Sequence, residues 1–209
     1  MEQRTAEWFA ARAGRVTASR VADVIAKTKS GYSASRANYR AELIVERLTG
    51  KPAETYQNAA MVWGIEQEPF ARARYEDETG LIVEEVGFVQ HPKITMSGAS
   101  PDGRLGVEGL VEIKCPNTAT HIETLSTRKI PAKYITQMQW QMACTTASWC
   151  DFVSFDPRMP KHLQYFCDRL ARDDKMIAEL EKEVGAFLKE IDLEITQLNN
   201  LYKENNDGI

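Results

Sequence analysis

The sequence predicts a single α/β (α+β) domain in which a central mixed β-sheet is flanked by helices. A chain of 209 residues, 43% of them hydrophobic, can bury one substantial core without a second domain. Segments with helical periodicity alternate with short apolar, β-branched segments, and the sequence has no internal repeats or low-complexity tracts. We therefore expect one domain over residues 1–209, with a C-terminal helical segment at about 173–203 and a loose tail.

The first part of the chain is predicted to be mainly helical. Apolar residues at helical spacing predict helices over Arg4–Ala13, through Val21, Val24 and Ile25, over Tyr39–Leu48 and over Ala59–Thr79. Thr17 and Ser19 are candidate N-caps of the second helix, and Gly50 and Gly80 are expected to end the third and fourth. The polar, basic segment Lys27–Arg36 is expected to be a loop.

The second part of the chain supplies the strands. Apolar and β-branched residues predict strands over Leu81–Val89, Lys93–Ser97, Leu110–Cys115, Trp149–Phe155 and His162–Cys167. These segments would form a mixed sheet of about three to five strands. Helices are expected over Ala119–Leu125, from near Lys133 after the basic link Arg128–Pro131, and over Asp173–Leu201, where one or two helices end in the tail Glu204–Gly208.

The charge balance counts against a protein that holds nucleic acid by a general basic surface. The formal net charge is −4 at pH 7, whereas such proteins are usually basic. The objection weakens if acidic groups gather at a metal site and basic groups line a confined channel, because phosphate attraction depends on local charge.

Cysteine, histidine and hydropathy patterns count against a zinc or redox protein, a histidine metal site and a membrane protein. Four widely spaced cysteines without a Cys-x-x-Cys pair predict buried free thiols, and the three histidines show no metal-ligand spacing. No apolar run is long enough to span a bilayer, and the polar start lacks the apolar core of a signal peptide. We therefore expect a cytoplasmic protein without membrane contact.

The stretch from Ser100 to Pro116 contains the clearest chemical signal. Asp102 lies in a Pro-Asp-Gly turn that precedes a predicted strand, on which alternation places Glu112 and Lys114 on one face. A hairpin that returns Asp102 beside Glu112 would pair two carboxylates, which repel each other unless a cation lies between them. Oxygen ligation of this kind suits Mg²⁺ or Mn²⁺. Alternatively, Asp102 only caps a turn, and Glu112 and Lys114 form an exposed ion pair.

Pro-Asp, a spacer and Glu-x-Lys also form the motif of the PD-(D/E)xK nuclease superfamily. The longer string from Ser-Pro-Asp-Gly to Glu-x-Lys-Cys-Pro resembles the lambda-type and YqaJ-type viral recombination exonucleases. Other motifs of that family occur in the same order between Trp8 and about Met159: Trp8, Arg12 and Thr17-Ala-Ser19; Trp63-Gly-x-x-x-Glu68; and Tyr134-x-x-Gln137-x-Gln139. The resemblance implies a restriction-endonuclease-like core.

The expected chemistry is hydrolysis with two divalent ions. Asp102 would bridge both ions, while Glu112 and the main-chain carbonyl of Ile113 would hold the ion that activates water. Glu68 would hold the second ion directly or through water, with Glu66 as the rival choice if the helix register differs. Lys114 would orient or deprotonate the attacking water.

The resemblance also assigns residues that contact DNA. Gln137, and Gln139 after it, would place the scissile phosphate or water, with support from Tyr134. The 5′-phosphate pocket would consist of Arg12, Ser19 and Ser100. Lys29 is a candidate phosphate or groove contact, and Met61 a candidate wedge that separates the strands. A helix cap explains Ser19 equally well on local grounds, and core packing explains Met61.

Taken as a family member, the chain is expected to be a Mg²⁺-dependent 5′→3′ exonuclease, with Mn²⁺ a plausible substitute. Its substrate would be linear double-stranded DNA with 5′-phosphate ends, from which it releases mononucleotides and leaves a 3′ single strand. The resemblance implies a ring-shaped homotrimer that works beside a single-strand annealing protein in phage recombination, encoded by a phage or prophage. Two alternatives remain: a PD-(D/E)xK endonuclease of restriction or repair, and a non-catalytic module that binds DNA ends.

Overall fold

Helices and short strands follow one another along the computed structural model, which describes residues 1–53 and 58–203. Its helices are α1 (Ala6–Arg12), α2 (Val21–Ile25), α3 (Ala34–Thr49), α4 (Ala59–Thr79), α5 (Thr118–Thr127), α6 (Ala132–Thr145) and α7 (Asp174–Lys203), with 3₁₀ turns at Ala18–Arg20 and Lys161–Leu163. Its strands are β1 (Val16–Thr17), β2 (Lys27–Thr28), β3 (Gly31–Tyr32), β4 (Val89–Gln90), β5 (Ser97–Ala99), β6 (Gly103–Leu105), β7 (Gly109–Lys114), β8 (Trp149–Phe155) and β9 (Tyr165–Ala171).

The largest sheet has the strand order β6-β7-β8-β9. Strands β7 and β8 are parallel, and the two outer pairs are antiparallel, so the sheet is mixed as the sequence predicts. Helix α4 covers one face, where Ala71 and Tyr75 pack with Val111 and Ile113. Helix α6 covers the other face, where Met138 packs with residues that include Leu110, Cys150 and Phe152. The β7 side chains therefore alternate between two helical layers.

A second core lies outside this sheet. Helices α2, α3 and α7 pack around β1 and β5, with Trp140 of α6 among the buried residues. Strand β1 pairs with β5 in parallel, and β5 pairs with β4 antiparallel. Helix α6 takes part in both cores, and so fixes the main sheet relative to the N-terminal segment.

Several predicted elements agree closely with the structure. Helix α4 has the predicted bounds, β8 has the predicted bounds, and the C-terminal segment forms one helix, α7. The left-handed conformations of Gly50 and Gly80 end α3 and α4 as expected for C-caps. The predicted tail Glu204–Gly208 lies outside the described residues.

Two predicted strands are wrong. The segment Leu81–Val89 forms a single bridge at Glu84 before β4 begins, because the side chain of Gln3 donates a hydrogen bond to the Val86 carbonyl at 2.7 Å. Between Lys93 and Met96 the chain turns instead of extending. The imidazole Nδ1 of His91 accepts hydrogen bonds from the main-chain N–H groups of Lys93 and Ile94, each at 3.2 Å. Strand β5 consequently begins only at Ser97.

Other boundaries also move. The predicted loop Lys27–Arg36 contains the β2–β3 hairpin and the start of α3, because Arg36 is buried and pairs with Glu190 of α7. The last strand begins at Tyr165 after a 3₁₀ turn. All four cysteines are free as predicted, although Cys115 and Cys167 are only partly buried. Among the described residues, no helix is both long and apolar enough to cross a membrane.

Candidate active site

The β6–β7 hairpin brings two acidic residues side by side. Its register pairs Gly103 with Val111, so Asp102 comes next to Glu112. The main-chain N–H of Ile113 donates to Asp102 Oδ2 at 2.7 Å, which fixes the aspartate against the strand. Glu112 has no exposed surface. The hairpin inferred from the Pro-Asp-Gly turn is therefore present.

The Glu112 carboxylate is held by three donors. Gln137 Nε2 donates to Oε1 at 2.6 Å, and Gln141 Nε2 donates to Oε2 at 2.5 Å. The two glutamines lie four residues apart on α6 and so share one face of that helix. Lys114 Nζ also contacts Glu112 Oε1, as expected for residues two apart on one strand.

The electrostatics of this cluster favour a bound cation. Burial, together with the neighbouring charge of Glu112, raises the pKa of Asp102 to about 8. A divalent ion would relieve this repulsion, because it stabilises both carboxylates in their ionised form. Burial lowers the pKa of Lys114, but the charges of Glu112 and Asp102 outweigh it and raise the pKa above the ordinary lysine value. Lys114 therefore lies where its side chain can balance negative charge beside the carboxylate pair.

Glu68 lies at the edge of the cluster. It lines a cavity of about 520 Å³ together with Asp102, and its charge contributes to the raised pKa of Asp102. Its carboxylate, however, contacts Arg4 and lies 3.5 Å from Arg72 Nη2. The rival Glu66 is exposed and is not among the residues that line this cavity.

The donor set fits a hard cation in chemical type. Asp102 and Glu112 offer adjacent carboxylate oxygens, which Mg²⁺ and Mn²⁺ prefer. Within residues 1–53 and 58–203, however, no three His, Cys, Asp or Glu side chains are grouped closely enough to hold a metal ion as they lie. Glu68, the third expected ligand, is paired with Arg4 instead.

Gln139, which the motif ranked second for catalysis, lies away from the cluster. Its side chain is buried, donates to the Ala171 carbonyl at 2.9 Å and accepts from the Asp173 N–H at 2.9 Å. It therefore joins β9 to the start of α7. Gln141, which sequence reasoning missed, takes the place at Glu112. The i,i+4 relation to Gln137 is the signal that could have identified it.

A second cavity, of about 380 Å³, is lined by Arg12, Arg15, Ser19 and Met61, among others, and shares Arg4 with the cavity that Asp102 lines. The Ser100 hydroxyl accepts from Trp8 Nε1 at 2.9 Å and from Arg12 Nη1 at 3.2 Å. Because both lone pairs of that hydroxyl are used, its proton must point to another acceptor.

Arg12 has the properties of an anion ligand. Its guanidinium lies 4.0 Å from the Trp8 ring centroid and forms no ion pair with any carboxylate in the described part of the chain. Burial lowers the pKa of Arg12, which shows that water solvates this cation poorly. A phosphate group would supply the missing counter-charge in bidentate geometry.

The remaining predicted residues differ in how near they lie to this site. Ser19 is exposed in the 3₁₀ turn before α2, and Thr17 makes no capping hydrogen bond. The predicted N-caps of α2 are therefore wrong, because Arg20 occupies that position. Met61 is half-exposed at the cavity wall. Tyr134 lies 5.4 Å from Lys114 Nζ. Lys29 is exposed at the β2–β3 turn, and no observed contact joins it to the site.

Replacing Gln141 tests whether the glutamine pair positions Glu112. Gln141→Leu removes one hydrogen bond to a buried carboxylate at nearly constant volume, and we expect about 10–100-fold weaker Mg²⁺ binding. The measurement is the Mg²⁺ concentration that gives half of the metal-induced rise in melting temperature. Gln139→Leu is the matched control on the same helix: it should lower stability without changing that concentration. Equal Mg²⁺ titrations of Gln141→Leu and the unmodified chain would contradict the positioning role.

The chain is similar to a known protein family and to solved structures of exonucleases. The family model of the YqaJ-like viral recombinase domain matches residues 7–148. An alkaline exonuclease from Laribacter hongkongensis is 60% identical over 96% of this chain and 99% of its own, with a TM-score of 0.89. The structure of that enzyme in complex with dAMP covers the same shares at 60% identity, with a TM-score of 0.90.

A phage-related exonuclease from Haemophilus somnus 129PT is 18% identical over 88% of this chain and 96% of its own, with a TM-score of 0.70, which supports the fold alone. None of the curated proteins matches the chain. The likeness to the alkaline exonuclease confirms the predicted fold class, a PD-(D/E)xK-type core.

Proposed function

The chain belongs to the YqaJ-like viral recombinase domain family, and on that basis we propose that it is a DNA exonuclease that digests linear duplex DNA from 5′-phosphate ends. Digestion runs 5′→3′, depends on Mg²⁺, releases mononucleotides and leaves a 3′ single strand. The observation that supports this proposal is the cluster of Asp102, Glu112 and Lys114, together with the hydrogen bond that joins Arg12 to Ser100, two residues before Asp102. The 60% identity to an alkaline exonuclease supports the same reaction class.

The residues of the chain divide the work of phosphodiester hydrolysis. Asp102, Glu112, the Ile113 carbonyl and Glu68 are the residues that would hold two Mg²⁺ ions, which when bound would supply charge neutralisation at the phosphoryl oxygens and lower the pKa of a nearby water. Glu68 would take part through the carboxylate that also contacts Arg4.

The Lys114 ammonium donates a hydrogen bond to the attacking water or a phosphoryl oxygen, and it balances the negative charge there. Gln137 and Gln141 hold the Glu112 carboxylate in place through their amide groups. The direction of digestion follows from the 5′-phosphate pocket, in which Arg12 and the Ser100 hydroxyl hold the terminal phosphate one nucleotide away from the scissile bond.

The decisive experiment is a time course of products from a 5′-phosphorylated linear duplex with Mg²⁺. We expect mononucleotides and a 3′ single strand, and no products in EDTA. A closed circular duplex should stay intact, because it has no end. Cleavage of the circle would instead support the endonuclease alternative.

Arg12→Ala should remove the preference for 5′-phosphorylated ends. The unmodified chain should digest phosphorylated duplex faster than 5′-hydroxyl duplex, because the phosphate pairs with a poorly solvated guanidinium. A charge-assisted hydrogen bond of about 1.5–3 kcal/mol corresponds to a preference of roughly 10–150-fold. The measurement is the ratio of initial rates on the two substrates. Arg40→Ala, on the surface of α3, is the control. An unmodified chain without any preference would rule out the pocket.

The same family membership underlies three further parts of the proposal. The chain would assemble as a ring-shaped homotrimer around the duplex, use Mn²⁺ in place of Mg²⁺, and act beside a single-strand annealing protein in the cytoplasm of a bacterial host that carries a phage or prophage. Sedimentation equilibrium measures the first, and digestion with each metal measures the second.

A further inference from the structure

Three exposed cations lie in the connection between α5 and α6 and in the first turn of α6. Arg128, Lys129 and Lys133, which we call the basic linker, are all exposed. In the described residues none of them forms an ion pair, whereas many other arginines of this acidic chain, such as Arg36 and Arg169, pair with carboxylates. The linker is therefore a local excess of positive charge, which is what phosphate attraction requires.

The linker adjoins the candidate active site through one aromatic ring. Lys133 Nζ lies 4.7 Å from the Tyr134 ring centroid, and Lys114 Nζ lies 5.4 Å from the same centroid. The ring is itself fixed by stacking on Phe152 at 5.4 Å. The ammonium groups of Lys133 and Lys114 thus both lie against the ring of Tyr134.

Contacts across the site run in one order. Arg12 touches Ser100, two residues before Asp102; Asp102 lies beside Glu112; and Glu112 touches Lys114. Beyond Lys114 come Tyr134 and the basic linker. In this series the carboxylate pair connects the Arg12 cavity to the linker, and the cavities at the two ends share no lining residue.

We propose that the basic linker binds the phosphates that follow the scissile bond on the strand being digested. This inference rests on the proposed function: if Arg12 holds the 5′-phosphate and the carboxylate pair faces the scissile bond, the next phosphates reach the far end of the series. Lysines there hold the strand as it advances, without reading its sequence.

The local geometry leaves room for such a strand. A cavity of about 340 Å³ beneath the linker is lined by Lys129 and Lys133, with threonines of α5 around them. Glu123 lines the same cavity, but in the described residues it forms no ion pair with either lysine. The lysines are consequently available to a ligand on their solvent side.

The test compares Lys129→Ala/Lys133→Ala with Lys182→Ala/Lys189→Ala, two exposed lysines of α7. The measured quantity is kcat/KM for release of the first nucleotide from a 5′-phosphorylated duplex at constant Mg²⁺ and varied KCl. We expect the salt slope of the linker variant to fall by about one per lysine, hence by about two, and that of the control to stay unchanged. The preference for 5′-phosphate should persist, because Arg12 is intact.

Neutral methylphosphonates identify the strand. Placed at the second and third linkages of the digested strand, they should slow the unmodified chain and leave the linker variant unaffected. An unchanged salt slope in the linker variant would overturn the proposal, and so would sensitivity confined to methylphosphonates on the complementary strand. Failure of the unmodified chain to release any nucleotide would refute the proposed function itself, so the two failures are distinguishable.

Discussion

Lys114→Met is expected to lower the rate of digestion by about 10²–10⁴-fold, the range typical of losing a positioned proton donor or charge at the reacting group. The ammonium contacts Glu112 and has a raised pKa, so it provides a fixed positive charge beside the carboxylate pair. Methionine keeps much of the side-chain volume without the charge. The measurement is single-turnover release of the first nucleotide at saturating Mg²⁺.

Binding of DNA ends should survive this substitution. The substitution changes no residue of the Arg12 cavity or of the basic linker. The Kd for a 5′-phosphorylated duplex should therefore change by less than about tenfold. Lys161→Met, at an exposed position in a 3₁₀ turn, is the control and should retain full activity. Equal rates for Lys114→Met and the unmodified chain, with or without metal, would support the non-catalytic alternative.

Asp102→Asn is expected to remove both activity and the stabilising effect of Mg²⁺. At a Mg²⁺ concentration 100 times Kd, binding stabilises the unmodified chain by about 2.7 kcal/mol, or roughly 5–10 °C in melting temperature for a chain of this size. The asparagine lacks the charge that attracts the ion, although its oxygen can still accept from Ile113. Asp77→Asn, an exposed position on α4, is the control.

The same variant tests the electrostatic strain without metal. Burial and the charge of Glu112 raise the pKa of Asp102 from 3.8 to about 8, so between these values the folded chain holds a proton that the unfolded chain has released. In EDTA, stability should therefore fall as pH rises from about 4 to 8, on the order of a few kcal/mol. Asp102→Asn should lack this decrease. An identical decrease in both proteins would show that another group titrates.

Individual residues show which features of the structure could be predicted from the sequence. The β6–β7 hairpin and the shared face of Glu112 and Lys114 follow from a turn motif and from strand alternation, which are local. The strand expected over Leu81–Val89 fails because Gln3, distant in sequence, takes the Val86 carbonyl. Gln137 and Gln139 are expected from the sequence to act together, but they lie on different sides of α6. The amide of Gln137 contacts Glu112 of β7, and the amide of Gln139 contacts Ala171 of β9.

The sequence by itself determined the fold class, the bounds of α4 and β8, and the acidic pair with its lysine. Periodicity and turn chemistry depend on residues that are close together in the sequence, so they can be recognised without the structure. Only the tertiary structure decided that Gln141 holds Glu112, that Arg4 pairs with Glu68, and that the basic linker adjoins Tyr134. Those contacts join elements far apart in the chain, and their partners are selected by packing and burial, which no local pattern specifies.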